Sequence, residues 1–167
     1  VQAAEQFPDV TFVSMTGDFA AISGVKNLKN GFTKVFESRY VSGVVGGMKL
    51  AELVADGKVS PTAPPDSYDA DGNIKIGYVG AFNYAEVVSG YTAFFLGLRS
   101  IVPNVVMEVN YTNSWFDIDK EAAAAEALVA AGCVIIGQHA DSTGAPSACE
   151  KLLASGKICY SVGYNVD

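Results

Sequence analysis

The sequence predicts an α/β fold that is built on a parallel β-sheet. Three observations predict it. In the second half of the chain, short apolar segments alternate with helical segments at the spacing of βαβ units. Residues 133–136 are apolar throughout, as a central strand covered on both faces should be. Half of the 167 residues are hydrophobic and 17% are charged, so the chain can bury a sizeable core.

The first 58 residues are predicted to form only part of an N-terminal lobe. Glycine destabilises the interior of a helix, yet Gly43, Gly46 and Gly47 fall inside the last helical segment of this part. We interpret them as sites of close packing, because the G-x-G-x-x-G order of a phosphate loop is absent. The expected elements are the end of a helix at 2–6, a strand at 10–15, a loop at 16–30, a strand at 32–36 and a helix at 39–56 that stops at Gly57.

Residues 59–73 are predicted to form a linker or hinge crossing, since they are rich in proline and aspartate and lack periodicity. Within them, Asp69, Asp71 and Gly72 weakly resemble a calcium-binding loop. Ser67 and Tyr78 stand where that loop needs its first and last acidic ligands, so we expect a solvated turn.

Residues 74–167 are predicted to form a nearly complete C-terminal α/β lobe. The helical segment that precedes the central strand starts with acidic residues and stops at Gly132, as the helix dipole and C-cap preferences favour. The expected order is a strand at 75–80, a helix at 86–100, a strand at 105–111, a helix at 119–131, the apolar strand from 133, a helix at 145–154 and a strand at 158–163.

Charge and composition exclude several classes of protein. The net charge of −7 argues against nucleic acid or an anionic membrane surface as a partner. No apolar run approaches the roughly 18 residues that a membrane-spanning helix needs. Cys133, Cys149 and Cys159 lack metal-ligand spacing, and we expect buried free thiols; the alternative is a disulfide between Cys133 and Cys159, if their strands are neighbours.

The strand ends of the second half point to a binding surface, because ligands of α/β sheets lie beyond the carboxyl ends of the strands. These segments are rich in aromatic rings, amides and carboxylates and poor in lysine. That mixture suits a flat, uncharged or cationic small molecule and not a phosphorylated one. The segments are 81–84, 112–117, 138–143 and 164–167, and the first half adds 16–18 and 37–40.

A catalytic or metal role for His139 and Asp141 is not favoured by the pattern. No serine or cysteine stands in a nucleophile elbow, and one histidine with scattered acids does not form a zinc site. Residues 141–143 precede a helical segment, where they can serve as its N-cap. We therefore predict no catalytic residue, no bound metal and no cofactor.

Five segments, taken in order, match the motifs of one family. They are ESRYVSGVVGG at 37–47, KIGYVGAF at 75–82, NSWFD at 113–117, QHADST at 138–143 and GYNVD at 163–167. The first is similar to the E-x-x-Y-x-x-G-x-x-A-G segment of the basic membrane protein family. These proteins are substrate-binding lipoproteins of ABC importers and include purine nucleoside receptors. The third and fourth segments most resemble the adenine-binding branch.

The resemblance implies a type I periplasmic-binding-protein fold, in which two α/β lobes joined by crossing segments clamp a ligand. Since the family's members are longer, the chain would be a central fragment with an incomplete first lobe. The expected protein is non-catalytic and extracytoplasmic, delivers a purine base or nucleoside to an ABC permease, and meets the membrane only through a lipid anchor absent from this chain. A dimer through the exposed sheet edge of the truncated lobe is also expected.

The resemblance also implies roles for individual residues. Phe82 and Trp115 would stack on the base, and Asp141 and Asp167 would accept hydrogen bonds from its N–H groups or from ribose hydroxyls. The family's proline after the first C-lobe strand is absent from residues 82–85, so the resemblance defines neither the shape of this loop nor the identity of the ligand. Further site residues are Asn113, His139 and Tyr164 as neighbours of the ligand, with Glu37 and Arg39 lining the N-lobe side or the hinge.

Two other functions are compatible with the same sequence. A ligand-sensing domain of a transcriptional regulator or membrane receptor would use the same fold, and an upstream helix-turn-helix would identify it. A nucleoside- or sugar-processing enzyme would use Asp141 and His139, and turnover of a nucleoside would identify it.

Overall fold

The computed structural model describes residues 1–165 of the chain, which form two compact units that divide between Val35 and Phe36. Both units combine parallel strands with helices, so the predicted α/β class is confirmed. No helix of residues 1–165 has the length and apolar character that crossing a membrane requires.

The first unit is small and contains a two-stranded parallel sheet. Its elements are α1 (Gln2–Gln6), β1 (Phe12–Met15), α2 (Phe19–Ile22) and β2 (Leu28–Gly31), and Phe12 pairs with Leu28 at the start of the sheet. The side chain of Asn27 holds the turn before β1, since its Nδ2 donates to the carbonyl oxygens of Ala4, Phe7 and Val10 at 2.8, 3.0 and 2.8 Å.

Two predictions for this unit are wrong. The predicted loop at 16–30 contains α2 and most of β2, and the predicted strand at 32–36 does not form. The polar sequence of β2 hides the strand, because Leu28 is its only buried residue. Phe32 suggested a strand by its apolar character, but its side chain is 60% exposed.

The second unit carries a four-stranded, wholly parallel sheet in the order β4-β3-β5-β6. Its predicted strands and helices after residue 73 are confirmed to within two residues at each end. In chain order the elements are α3 (Val35–Ala55), β3 (Ile74–Gly80), α4 (Ala85–Arg99), β4 (Val105–Tyr111), α5 (Ile118–Ala130), β5 (Ile135–His139), α6 (Gly144–Ala154) and β6 (Tyr160–Val162). Only the first residue of α3 belongs to the first unit.

Helices cover both faces of this sheet, and each face has its own apolar core. Ile76 and Tyr78 of β3 face one core with residues of α3 and α4, such as Leu50 and Phe94. Their neighbour Val79 faces the opposite core with residues of α5 and α6. The alternation of side chains along a strand thus divides β3 between the two helical layers.

Glycines let α3 and α4 approach closely, as predicted for the glycines of α3. A Cβ atom at Gly43 would lie 2.0 Å from the carbonyl oxygen of Phe94, and one at Gly97 would lie 2.1 Å from that of Tyr40. Helix α3 therefore packs as part of the second unit, and the chain divides at residue 35. The sequence placed α3 in the first lobe, 1–58, before a hinge at 59–73; that division into lobes stays a prediction for the complete protein.

Residues 59–73 form turns that satisfy their own polar groups. Oδ1 of Asp69 accepts hydrogen bonds from the backbone N–H groups of Asp71 and Asn73 at 3.0 and 2.8 Å. The hydrogen bond from the side chain of Asn73 lowers the pKa of Asp69 most, and the hydrogen bond from the backbone of Asn73 lowers it further. Within residues 1–165, no three His, Cys, Asp or Glu side chains are grouped so that they could hold a metal ion.

Candidate ligand-binding site

The carboxyl ends of the strands in the second unit carry the candidate site. Because all four strands are parallel, the segments that follow them lie along the same edge of the sheet. Three of these segments connect a strand to the next helix, and the fourth follows β6. They are residues 81–84, 112–117, 140–143 and 163–165.

Aromatic side chains of the first two connections pack together. The rings of Phe82 and Tyr84 are stacked, with centroids 5.0 Å apart and an interplanar angle of 13°. The indole of Trp115 lies 5.6 Å from the ring of Phe82 and 6.4 Å from that of Tyr84. We call Phe82, Tyr84 and Trp115 the aromatic cluster.

His139 lies behind the aromatic cluster, at the last position of β5. Its ring centroid is 6.3 Å from that of Trp115 and 4.7 Å from that of Tyr164. Strand alternation turns its side chain towards α4, where a Cβ atom at Gly90 would lie 2.6 Å from Nδ1 of His139. A glycine is therefore required at this point of α4 for the imidazole to keep its position.

Arg39 reaches the same place from α3. Its guanidinium carbon lies 3.6 Å from the centroid of the Tyr164 ring, which is a close cation–π geometry, and its side chain is buried. Burial lowers the pKa of Arg39, while the charges of Tyr78, Tyr164 and Asp141 oppose this effect. The guanidinium keeps its charge, because the ordinary pKa of arginine lies far above neutral pH.

Arg39, Tyr78 and His139 share an unusual property. Both ring nitrogens of His139, Nε and Nη2 of Arg39 and the hydroxyl of Tyr78 are buried and have no hydrogen-bond partner among the described residues. We call these three residues the unpaired polar group. Burial lowers the pKa of His139 to about 4, and the charge of Arg39 adds to this effect, so the imidazole is neutral at pH 7. Buried polar atoms are normally paired, so these five atoms are exceptions to the rule.

Hydrogen bonds join the β5–α6 connection to the β4–α5 connection. The backbone N–H of Asp141 donates to the carbonyl oxygen of Trp115 at 2.7 Å. The buried carboxylate of Glu121 accepts hydrogen bonds from the backbone N–H groups of Ser142 and Asp117, both at 3.2 Å. We call these contacts the loop clamp, because they hold Trp115 and Asp141 at a fixed separation.

Side-chain hydrogen bonds further stabilise the β5–α6 connection. Nε2 of Gln138 donates to the carbonyl oxygens of Ala140 and Ser142 at 2.6 and 2.8 Å. The hydroxyl oxygen of Ser142 accepts from the N–H of Gly144 at 3.1 Å, whereas Thr143, the N-cap residue of α6, makes no side-chain capping hydrogen bond. The half-buried carboxylate of Asp141 accepts from Nδ2 of Asn165 at 3.4 Å.

The structure brings most of the predicted site residues together. Phe82, Trp115, His139, Tyr164 and Arg39 form a continuous series of ring and cation–π contacts, and the loop clamp holds Asp141 beside them.

The other three predicted residues are not part of this series of contacts. Asn113 is exposed in the Trp115 connection, with a φ of 54°, and Glu37 is exposed in the first turn of α3. Asp167 lies outside the described residues.

The predicted set of site residues omits Glu86, Tyr78 and Tyr84. Burial raises the pKa of Glu86, and the nearby charge of Asp141 adds to the effect, so two carboxylates lie close together at this edge. In the sequence Glu86 looks like an ordinary acidic residue in the first turn of a helix. Tyr84 was visible as an aromatic residue at a strand end, but the sequence alone could not show its stacking on Phe82.

Comparison with known proteins adds evolutionary relationships to this geometry. Residues 1–167 match the family described as PnrA-like ABC transporter substrate-binding proteins. The chain is 36% identical over 145 residues to a purine-binding protein of Brucella abortus, a match that covers 87% of the chain and 34% of that protein. It is 32% identical over 162 residues to a protein of Haloferax volcanii that is named for glucose binding in an ABC transporter, which covers 97% of the chain and 34% of that protein. The chain thus spans about a third of the length of these relatives.

Two solved structures share the fold. A solute-binding protein of an ABC transporter from Aeropyrum pernix superimposes with a TM-score of 0.71 at 16% identity, covering 97% of the chain and 41% of that protein. A corresponding protein from Conexibacter woesei gives a TM-score of 0.57 at 22% identity, covering 99% of the chain and 46% of that protein. Both support the same α/β architecture.

Proposed function

Because the chain belongs to the family of PnrA-like ABC transporter substrate-binding proteins, we propose that it is part of a non-catalytic receptor that delivers a small molecule to an ABC permease. The observation that carries this proposal is the arrangement of the aromatic cluster in front of the unpaired polar group, at the carboxyl edge of a parallel sheet. Receptors of this fold close two lobes on their ligand, and closure signals occupancy to the permease.

The proposed ligand is a purine base or a nucleoside. A flat heterocycle can stack on Trp115 and Phe82, and stacking of this kind is tolerant of the base's identity. The carboxylate of Asp141 accepts hydrogen bonds from exocyclic N–H groups or ribose hydroxyls. The name of the Brucella relative is consistent with a purine, whereas that of the Haloferax relative suggests glucose.

The polar groups of the site support an uncharged ligand that has its own acceptor atoms. Arg39 offers N–H donors, His139 carries one N–H in its neutral form, and Tyr78 offers a hydroxyl. A purine presents ring nitrogens, and guanine or hypoxanthine also presents a carbonyl oxygen. A phosphorylated ligand is disfavoured, because Asp141 and Glu86 place two acidic side chains close together at this edge of the sheet.

We place the proposed receptor outside the cytoplasm, as the family's role in import requires. In the complete protein, residues 1–58 and 74–167 would belong to the two lobes and 59–73 to a crossing between them. A lipid anchor outside the chain would hold the receptor at the membrane, and the permease would be its partner. The receptor would also form a dimer through the exposed sheet edge of the first lobe.

An enzymatic role for His139 finds little physical support. A general base should have a pKa near the working pH. Burial lowers the pKa of His139 to about 4, well below neutral pH. Its neutral imidazole is better suited to hydrogen bonding than to proton transfer.

The test is isothermal titration calorimetry of the complete protein with adenine, adenosine, guanosine and inosine, with glucose as the competing candidate. We expect saturable heat with at least one purine and none with glucose. Heat with glucose alone would replace the purine by a sugar while keeping the receptor function. Hydrolysis of a nucleoside during the titration, detected by chromatography of the recovered ligand, would contradict a non-catalytic role.

A further inference from the structure

The second unit holds a pair of cysteines that its proposed function does not use. Cys149 lies in α6 and Cys159 lies immediately before β6, and both are buried in the core on the α5–α6 face of the sheet. Sγ of Cys159 donates to the backbone carbonyl oxygen of Cys149 at 3.4 Å. The side chain of Cys159 therefore points directly at the residue that carries the other thiol.

The segment between these cysteines is a short and well-ordered turn. After α6 ends, the N–H groups of Gly156 and Lys157 donate to the carbonyl oxygens of Leu153 and Leu152, both at 3.0 Å. Gly156 has a φ of 91°, a left-handed conformation that reverses the chain at low cost for glycine. The turn thus fixes how Cys159 returns to the side of Cys149.

We propose that Cys149 and Cys159 form an intramolecular disulfide bond when the protein folds in an oxidising, extracytoplasmic compartment. Two thiols lose their hydrogens and join as one S–S bond. The two electrons and two protons pass to a disulfide oxidant, either a thiol oxidase protein or a small-molecule disulfide, which is reduced to two thiols. Structural disulfides form and persist in such compartments.

The thiols also influence each other electrostatically, which is consistent with their contact. A hydrogen bond between them is the main cause that raises the pKa of Cys149 and lowers that of Cys159. Because both side chains are buried, oxidation must take place before folding is complete.

Cys133 is the competing partner and is less well placed. Ile135 of β5 pairs with Tyr160 of β6, so the same register carried back by one residue sets Cys159 beside Val134 and not beside Cys133. Burial raises the pKa of Cys133 to about 12, and the charge of Glu108 adds to this effect while that of Lys75 opposes it. Neither of the other two thiols is among the causes of this pKa shift. Cys133 is therefore expected to stay a free thiol.

The test compares the complete protein exported to a bacterial periplasm with the same protein made in a reducing cytoplasm. Each sample is alkylated under denaturing, non-reducing conditions and digested with trypsin and an aspartate-directed protease. Trypsin cuts after Lys151 and Lys157, between the paired cysteines, and cleavage before Asp141 separates Cys133 from Cys149. Mass spectrometry should find the Cys149 and Cys159 peptides linked and lighter by two hydrogens, with Cys133 alkylated. Three alkylated cysteines in the exported protein, or a Cys133–Cys159 link, would overturn the proposal.

Variants separate the disulfide from a simple packing effect. The exported Cys133→Ala protein should keep the link, whereas Cys149→Ala and Cys159→Ala should lose it. Closing a loop of this size should lower the ratio of unfolded to folded protein by about 100-fold, measured by denaturant titration with and without reductant. The reductant should change the midpoint of the wild-type and Cys133→Ala proteins only. A midpoint that reductant leaves unchanged in the linked wild-type protein would refute the stabilising role of the bond.

Discussion

The guanidinium group of Arg39 stacks on the ring of Tyr164, with its central carbon 3.6 Å from the ring centroid. The two residues are far apart in sequence, one on the long helix α3 and the other after the last strand β6. Tyr164 in turn contacts His139, whose ring approaches Trp115. One series of contacts therefore leads from the buried charge of α3 to the aromatic cluster at the strand ends.

Replacing Arg39 by Lys tests the stacking. We expect the free energy of unfolding to fall by about 1 to 2 kcal/mol, because an ammonium group cannot reproduce the planar contact with the Tyr164 ring. The measurement is urea denaturation at pH 7. Arg99→Lys is the matched control, since Arg99 is exposed and its guanidinium carbon lies 5.8 Å from the Phe95 ring. Equal losses in the two variants would show that the Tyr164 contact has no special role.

Replacing Trp115 by Ala tests the aromatic cluster as a binding surface. Loss of the indole should weaken binding of the purine found by calorimetry by about 1 to 3 kcal/mol, the usual contribution of one stacked base. The neighbouring Phe116 is 64% exposed and is not part of the aromatic cluster, so Phe116→Ala should change the affinity little. Unchanged affinity in Trp115→Ala would remove Trp115 from the site.

Two glycines of α3 provide a matched pair for the packing of α3 on α4. Gly43→Ala should destabilise the protein by about 1 to 3 kcal/mol, since its Cβ would overlap the carbonyl oxygen of Phe94 at 2.0 Å. Gly46→Ala has room, with Cγ2 of Ile135 at 3.5 Å, and should be neutral or stabilising by up to about 1 kcal/mol. Thermal unfolding of both variants is the measurement. A stable Gly43→Ala protein would contradict the close approach of the two helices.

The lowered pKa of His139 makes stability depend on pH. The pKa is about 4 in the folded protein and about 6.5 in the unfolded chain, so the unfolded chain binds the proton more tightly. The resulting stabilisation is complete above pH 6.5 and is lost as the pH falls through this window towards 4. Its total size is about 3 kcal/mol.

Denaturant titrations of the wild-type and His139→Phe proteins between pH 7 and pH 4 measure this contribution. The wild-type protein should lose more stability than the variant on acidification, because the variant has no imidazole to protonate. The carboxylates with lowered pKa values, Asp69 and Asp117, act in both proteins and cancel in the comparison. Parallel curves would show that His139 titrates normally in the folded state.

Sequence reasoning succeeded where periodicity and glycine stops agree. The strands and helices after residue 73 are each apolar or amphipathic, and turn residues separate them, so their order and approximate bounds could be predicted. It failed at β2, because the strand reads Leu-Lys-Asn-Gly and only its pairing with β1 identifies it.

The site was predictable only in part. The parallel order of the strands implied that Phe82, Trp115 and Asp141 would lie at one edge. The stacking of Arg39 on Tyr164 could not be foreseen, because it depends on how α3 packs against the sheet. The unpaired polar group was equally invisible, since burial and the lack of partners are properties of the folded chain.

The loop clamp has a consequence for the speed and selectivity of capture. Since Glu121 and the Asp141–Trp115 backbone contact already hold both connections, little conformational entropy remains to be lost there when a ligand arrives. In the proposed receptor, a rigid half-site of this kind would bind a solute weakly before the second lobe closes, and it would not reshape itself to fit a poor match. Discrimination between solutes would then arise at first encounter.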